Sequence, residues 1–172
     1  LECIQSRIFY YNTKVKYFSR TFEGCTRLNT IPEGVFDNCT EVTSFEGAFM
    51  NCENLQTIPE RLFDNNTKVS TFYETFSKCI NLTAIPQGLF DKCTEVTSFW
   101  LTFGWCESLT SIPEGLFDKC TKVTSYNQTF RDCINLIGIP KGLFDKCKVV
   151  TTTNWDFNGC ASLESIPSGS FE

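Results

Sequence analysis

Eleven cysteines, a periodic column of aspartates and repeated threonine-serine pairs are the residues of this 172-residue chain that could do chemistry, and no histidine accompanies them. Without an imidazole there is no Ser-His-Asp triad, no Cys-His dyad and no His-ligated metal site. Ten cysteines (Cys25, Cys39, Cys52, Cys79, Cys93, Cys106, Cys120, Cys133, Cys147 and Cys160) follow an alternation of longer and shorter steps (39 − 25 = 14, then 52 − 39 = 13), and Cys3 lies outside it. Where that rhythm calls for two more, the chain has Asn12 and Asn66. Asparagine neither bridges nor binds zinc, the cysteine count is odd, and the close cysteine pairs of zinc sites are missing. The thiols therefore read as reduced, buried and structural. Units stacked about 4.8 Å apart would still bring neighbouring thiols within disulfide reach, so bridges between units stay open if the protein is secreted.

Asp37, Asp64, Asp91, Asp118 and Asp145, with Glu172, form an acidic column. A calcium ladder would need several oxygens converging on one ion. Backbone hydrogen bonding within a turn explains these aspartates at lower cost, so no metal and no cofactor is expected. The Val-Thr-Ser segments read as a strand face with hydroxyl ladders, since no base is present to activate a nucleophile. Sequons at Asn38, Asn65, Asn81 and Asn127 arise easily in Asn-rich turns and matter only in a eukaryotic secretory setting.

The elements that carry these residues are set by a repeat. Variants of Ile-Pro-x-Gly-Leu-Phe-Asp recur at Ile31, Ile58, Ile85, Ile112, Ile139 and Ile166, a constant 27-residue period (58 − 31) without insertion or deletion. A fixed register means like units that stack, each covering its neighbour's apolar face, in an elongated solenoid. Each unit divides into a 14-residue half and a 13-residue half, as at Leu82 to Glu95 and Val96 to Ser108. Apolar spacing such as Val42, Phe45, Phe49, Cys52 and Leu55 suits a helix. The proline after each Ile, from Pro32 to Pro167, forbids a continuous one, because proline inside a helix costs roughly 3 kcal/mol. The expectation is a short extended piece, then one or two helical turns ending near each cysteine. All seventeen phenylalanines sit in three columns: after Leu in Gly-Leu-Phe, after Thr, and at the end of Val-Thr-Ser-Phe. Burial of each contributes roughly 1.5–3 kcal/mol, which makes them the structural spine.

The string Val-x-x-Phe-x-x-Ala-Phe-x-x-Cys-x-x-Leu-x-x-Ile-Pro, at Val42 to Pro59, resembles the BspA-like class of leucine-rich repeats, and the resemblance covers essentially the whole chain. It implies an α/β repeat fold, a right-handed leucine-rich-repeat solenoid with short parallel strands and short helical turns. It also implies that the Cys/Asn position sets a small side chain against backbone amides at a corner of the coil. The period departs from the family's usual shorter unit through a second Leu-Phe-Asp-x-Cys-Thr segment. A 27-residue coil is favoured over a 13- or 14-residue one, because a half-unit leaves little perimeter around a Phe-filled core. The family resembles bacterial cell-surface or secreted adhesins and has no chemistry to transfer.

A net charge of −5 without basic clusters argues against nucleic acid, and no apolar run reaches the ~18 residues of a membrane span. The chain reads as a single repeat domain over 1–172, six 27-residue units plus a partial one. Leu1 stands at the repeat position of Leu28 and Glu172 at that of Asp37, which suggests a fragment of a longer protein.

Comparing units, the first half hardly varies, while the second varies at two pairs. The pair after Val-Thr-Ser-Phe reads Ser19-Arg20, Glu46-Gly47, Tyr73-Glu74, Trp100-Leu101, Asn127-Gln128 and Asn154-Trp155. The pair before Cys reads Glu23-Gly24, Met50-Asn51, Ser77-Lys78, Gly104-Trp105, Arg131-Asp132 and Asn158-Gly159. All three tryptophans occupy these pairs. If a helical turn carries the ladder Phe inward, these neighbours face outward, and exposed Trp and Tyr are typical binding anchors. The candidate ligand-binding residues are Tyr73, Glu74, Trp100, Leu101, Trp105, Asn127, Gln128 and Trp155. The expected function is a non-catalytic, extracellular or cell-surface scaffold, bacterial and adhesin-like, that binds a protein or a glycan. The alternatives are a purely structural stalk and, ranked last, a carboxylate-dependent glycoside hydrolase, which needs two carboxylates across a cleft.

Overall fold

The computed structural model describes residues 1–151 and 156–168. Parallel bridges join Tyr17 to Ser44, Ser44 to Thr71, Thr71 to Ser98 and Ser98 to Ser125. Each bridge advances by one 27-residue unit (44 − 17), so a coil takes the whole unit and the two halves are its opposite sides. On the far side the ladder runs from Thr83 to Gln56 to Asn29, each N–H donating one coil back at 3.2 Å. Gly138 bridges Ser165 on the same side.

The expected helical turns do not form. Among the described residues there is no helix, and each extended piece shrinks to a single bridged residue. Turn bonds within a coil alternate with bonds between coils. Ala48, Met50 and Cys52 donate to the residue three back, at 3.0–3.1 Å, while Gly47, Phe49 and Asn51 donate to Tyr73, Thr75 and Ser77 of the next coil at 2.8–2.9 Å. A helix would keep all of these N–H groups to itself. The alternation requires left-handed backbone at intervals, and the chain supplies it with few glycines. Arg20, Glu74, Leu101 and Gln128 form one such column with Gly47, and Asn51, Lys78, Trp105 and Asp132 form another with Gly24 and Gly159. A non-glycine residue there costs roughly 1–2 kcal/mol, which the bonds between coils offset.

The three phenylalanine columns stack through the interior. Phe36, Phe63, Phe90 and Phe117 succeed one another at 6.2–6.5 Å with rings within 11° of parallel. Phe49, Phe76, Phe103 and Phe130 do so at 5.6–5.7 Å. The third column, Phe45, Phe72 and Phe99, tilts against the first at 4.8 Å. Aromatic pairs of this kind add about 0.5–1.5 kcal/mol each beyond burial.

All eleven cysteines are free thiols. Cys52, Cys79, Cys106, Cys133 and Cys160 each direct Sγ at the carbonyl of a phenylalanine one coil back, at 3.1–3.3 Å. In the other column Asn66 replaces a thiol, and its Nδ2 donates to the carbonyls of Phe36 and Cys39 at 3.3 and 3.0 Å. The small side chain thus faces backbone carbonyls, not the amides the resemblance implied. Those carbonyls are acceptors that only a donor can satisfy, which is why Cys and Asn interchange.

Candidate binding face

The hydroxyls of the Val-Thr-Ser segments build the variable row. Each threonine or serine in the middle position places its hydroxyl on the carbonyl one coil back, as Thr43 does on Lys16 and Thr97 on Ser70 at 3.2 Å. The next residue turns its hydroxyl along its own chain. Ser44, Thr71, Ser98 and Ser125 accept from the N–H two residues on, that of Glu46, Tyr73, Trp100 and Asn127, at 3.1–3.3 Å. This local turn fixes one variable side chain per coil in the row Glu46, Tyr73, Trp100, Asn127. The segment is therefore an exposed strand face with a hydroxyl ladder, as its residues suggested, and its last hydroxyl also brackets the turn that follows.

Tyr73 and Trp100 meet edge to face, with centroids 5.4 Å apart and planes at 89°. Trp100 is 42% exposed, and Tyr73 is half-buried. The Tyr73 phenol is held above its ordinary pKa, first by burial, then by the charges of Glu74 and Glu46, with Arg20 opposing. Glu74 donates its N–H to the Trp100 carbonyl at 2.9 Å, and its carboxylate lies 3.9 Å from Arg20, two coils away. Gly47 makes that reach possible, because a Cβ there would sit 3.1 Å from the Arg20 Cγ.

The remaining candidates do not join this ledge. Leu101 was expected to face outward, yet it is only 8% exposed. Its Cδ2 fills the space over Gly104, where a Cβ would stand 2.9 Å away. Trp105 is half-buried and already carries two cations, Lys78 at 5.5 Å and Arg131 at 5.2 Å from the ring centroid. Arg131 also holds Gln128 Oε1 and Asp132 Oδ2, both at 3.0 Å. Asn127 keeps its Oδ1 buried and, among the described residues, without a partner. Trp155 lies outside the described residues. Structure thus unites Tyr73, Glu74 and Trp100, and it adds Arg20 and Glu46. Both of these occupy the same variable pairs in the sequence, and that was the signal available for them.

The acidic column lies elsewhere. The carboxylates of Asp91 and Asp118 fold back over Gly88 and Gly115, to 3.0 and 3.2 Å from where a Cβ would be, and so lie against their own turns. Glu33, Asp37, Glu60, Arg61 and Asp64 line an open hollow of about 430 Å³ on that side, in which Arg61 pairs with Asp64 at 2.8 Å. Among the described residues no group of three or more His, Cys, Asp or Glu side chains is placed to hold a metal.

Several solved structures match this chain at low similarity. The leucine-rich repeat domain of APL1B is 16% identical, with a TM-score of 0.39 over 65% of this chain. The T. pallidum leucine-rich repeat protein is also 16% identical, with a TM-score of 0.30 over 87% of this chain and 72% of its own. A leucine-rich repeat protein from Bacteroides ovatus is 19% identical, with a TM-score of 0.31 over 89% of this chain and 41% of its own. The chain spans 34% of the APL1B domain. No curated protein matches its sequence. The family model described as "BspA type Leucine rich repeat region (6 copies)" matches residues 1–151 and 83–172. With both ends of the sequence inside that match, the chain belongs to the BspA-type leucine-rich repeat family.

Proposed function

We propose that this chain is a non-catalytic binding scaffold, surface-displayed or secreted by a bacterium, which captures a protein or glycan through the row carrying Tyr73 and Trp100. One observation carries the reading. The Tyr73–Trp100 pair stands on adjacent coils outside the phenylalanine stacks, and Trp100 remains 42% exposed. An aromatic pair held rigidly by backbone brackets offers large contact area at small ordering cost. The carboxylates of the acidic column, which recur once per coil and lie against the glycines of their own turns, favour this reading over hydrolysis.

The test is a Tyr73→Ala/Trp100→Ala variant examined for both stability and ligand capture in a protein and glycan binding screen. Tyr73 is half-buried and packs on the more exposed Trp100, so losing both rings should cost about 1–2 kcal/mol while the fold survives and capture is lost. Capture that survives the double substitution would leave the stalk as the better reading. A stability loss of several kcal/mol would make the pair part of the core.

A further inference from the structure

We propose that the Glu46–Tyr73–Trp100 row, with Glu74 beside it, is a cation-binding ledge whose occupant is a lysine or arginine side chain of a protein partner. The inference rests on the binding reading above and narrows it to one ligand chemistry.

The row places a carboxylate, a phenol and an indole on three consecutive coils, each fixed by its own hydroxyl bracket. Glu46 and Glu74 lie close enough to the Tyr73 hydroxyl to act on its charge. Aromatic faces attract cations through the ring quadrupole, and adjacent carboxylates add a direct attraction and a hydrogen-bond acceptor. A neutral sugar would gain hydrogen bonds from its hydroxyls to these carboxylates, whereas a cation gains both the hydrogen bonds and the attraction of opposite charge.

The same interaction is satisfied internally at the next tryptophan of the chain. Trp105 takes Lys78 and Arg131 over its ring, both from neighbouring coils of this chain. Among the described residues no lysine or arginine lies over the Trp100 ring. Arg20 reaches only the edge of the ledge. It is half-exposed and shared between Glu23 at 3.3 Å and Glu74 at 3.9 Å. It is the chain's own cation at the border of the site, and an incoming guanidinium or ammonium competes with it.

The experiment follows the three indole N–H signals of the ¹⁵N-labelled chain by NMR. The probes are acetylated Gly-Arg-Gly-Arg-Gly and Gly-Lys-Gly-Lys-Gly peptides, and neutral cello- and chito-oligosaccharides. The expected result is a saturable, salt-sensitive shift of the Trp100 signal with the cationic peptides and none with the sugars. Glu46→Gln/Glu74→Gln should weaken the peptides roughly tenfold, and Arg20→Gln should strengthen them about twofold. If the sugars move Trp100 and the peptides do not, the cation proposal falls while the binding reading stands. A peptide effect that ignores the double Gln variant, one that appears only on the other indoles, or no effect at all also overturns it.

Discussion

The Tyr126 hydroxyl lies 2.6 Å from the Cys147 Sγ inside the core, so a thiol one coil on accommodates the ring hydroxyl that replaces Phe in the third stack. Tyr126 still stacks on Phe99 at 5.9 Å with planes 2° apart. Burial, then the bond to Cys147, raises the phenol pKa, which keeps it neutral.

Cys147→Ala should therefore cost about 1–3 kcal/mol, because it leaves a buried hydroxyl without a partner. Tyr126→Phe should be close to neutral. In a double-mutant cycle by urea denaturation, Tyr126→Phe should rescue most of the loss from Cys147→Ala. Strictly additive effects would show that the two side chains do not depend on each other.

Asp156 occupies the column in which Thr75, Thr102 and Thr129 donate to the carbonyls of Phe45, Phe72 and Phe99. It is 2% exposed, and among the described residues neither carboxyl oxygen has a partner within full hydrogen-bond geometry, the Gln128 and Thr129 amides only approaching it. Burial pushes its pKa from 3.8 up to about 8, and the nearby amides of Gln128 and Thr129 pull it only partway back. A folded pKa above the unfolded one means that the folded chain holds the proton more tightly. The stabilisation is complete below about pH 4 and disappears as pH rises to about 8. Amide exchange at Phe130 and Asp132, which donate to Asp156 and Asn158, should quicken across that window beyond its intrinsic pH dependence. Asp156→Thr should abolish the extra slope, and an unchanged slope would assign it to other groups.

The thiols should divide sharply in reactivity. Cys3 is exposed, Cys25 and Cys160 are intermediate, and the other eight are buried. Burial raises Cys52 and Cys93 to about 12 and Cys160 to about 11, so the attacking thiolate is scarce at neutral pH. Titration with a chromogenic disulfide should show Cys3 reacting fast, Cys25 and Cys160 slowly, and the rest only on unfolding. Rapid labelling of Cys79 or Cys106, located by mass spectrometry, would contradict the buried ladder.

Asn66 uses its Nδ2 on two carbonyls but leaves Oδ1 buried without a partner. Restoring the column's usual thiol with Asn66→Cys should raise stability by about 1 kcal/mol, measured by thermal unfolding under reducing conditions. A loss of stability would mean that the bonds from Nδ2 outweigh the orphaned oxygen.

Much of this architecture was legible in the chain itself. The invariant spacing of Ile31, Ile58 and Ile85 set the coil length, and the confinement of phenylalanine to three columns identified the stacks before any ring was placed. The path between them was not legible. Apolar residues three and four apart suit a helix and a string of turns alike. The deciding fact is left-handed backbone, which Gly47 and Asn51 hint at but Leu101 and Trp105 conceal. The same concealment misplaced Leu101, whose side chain turns inward because Gly104 leaves room for it. Trp100 and Tyr73 were recognisable because they interrupt a polar column, whereas the engagement of Trp105 with Lys78 and Arg131 depends on which coils adjoin.

Main-chain bonds between coils reach only the adjoining coil, and each bracket hydroxyl serves a residue of its own coil. Loss or duplication of one 27-residue cassette would therefore rejoin at matching seams and change the displayed face by one coil's set of variable residues. Such a surface can be rewritten by recombination in the gene without posing the polypeptide a new folding problem.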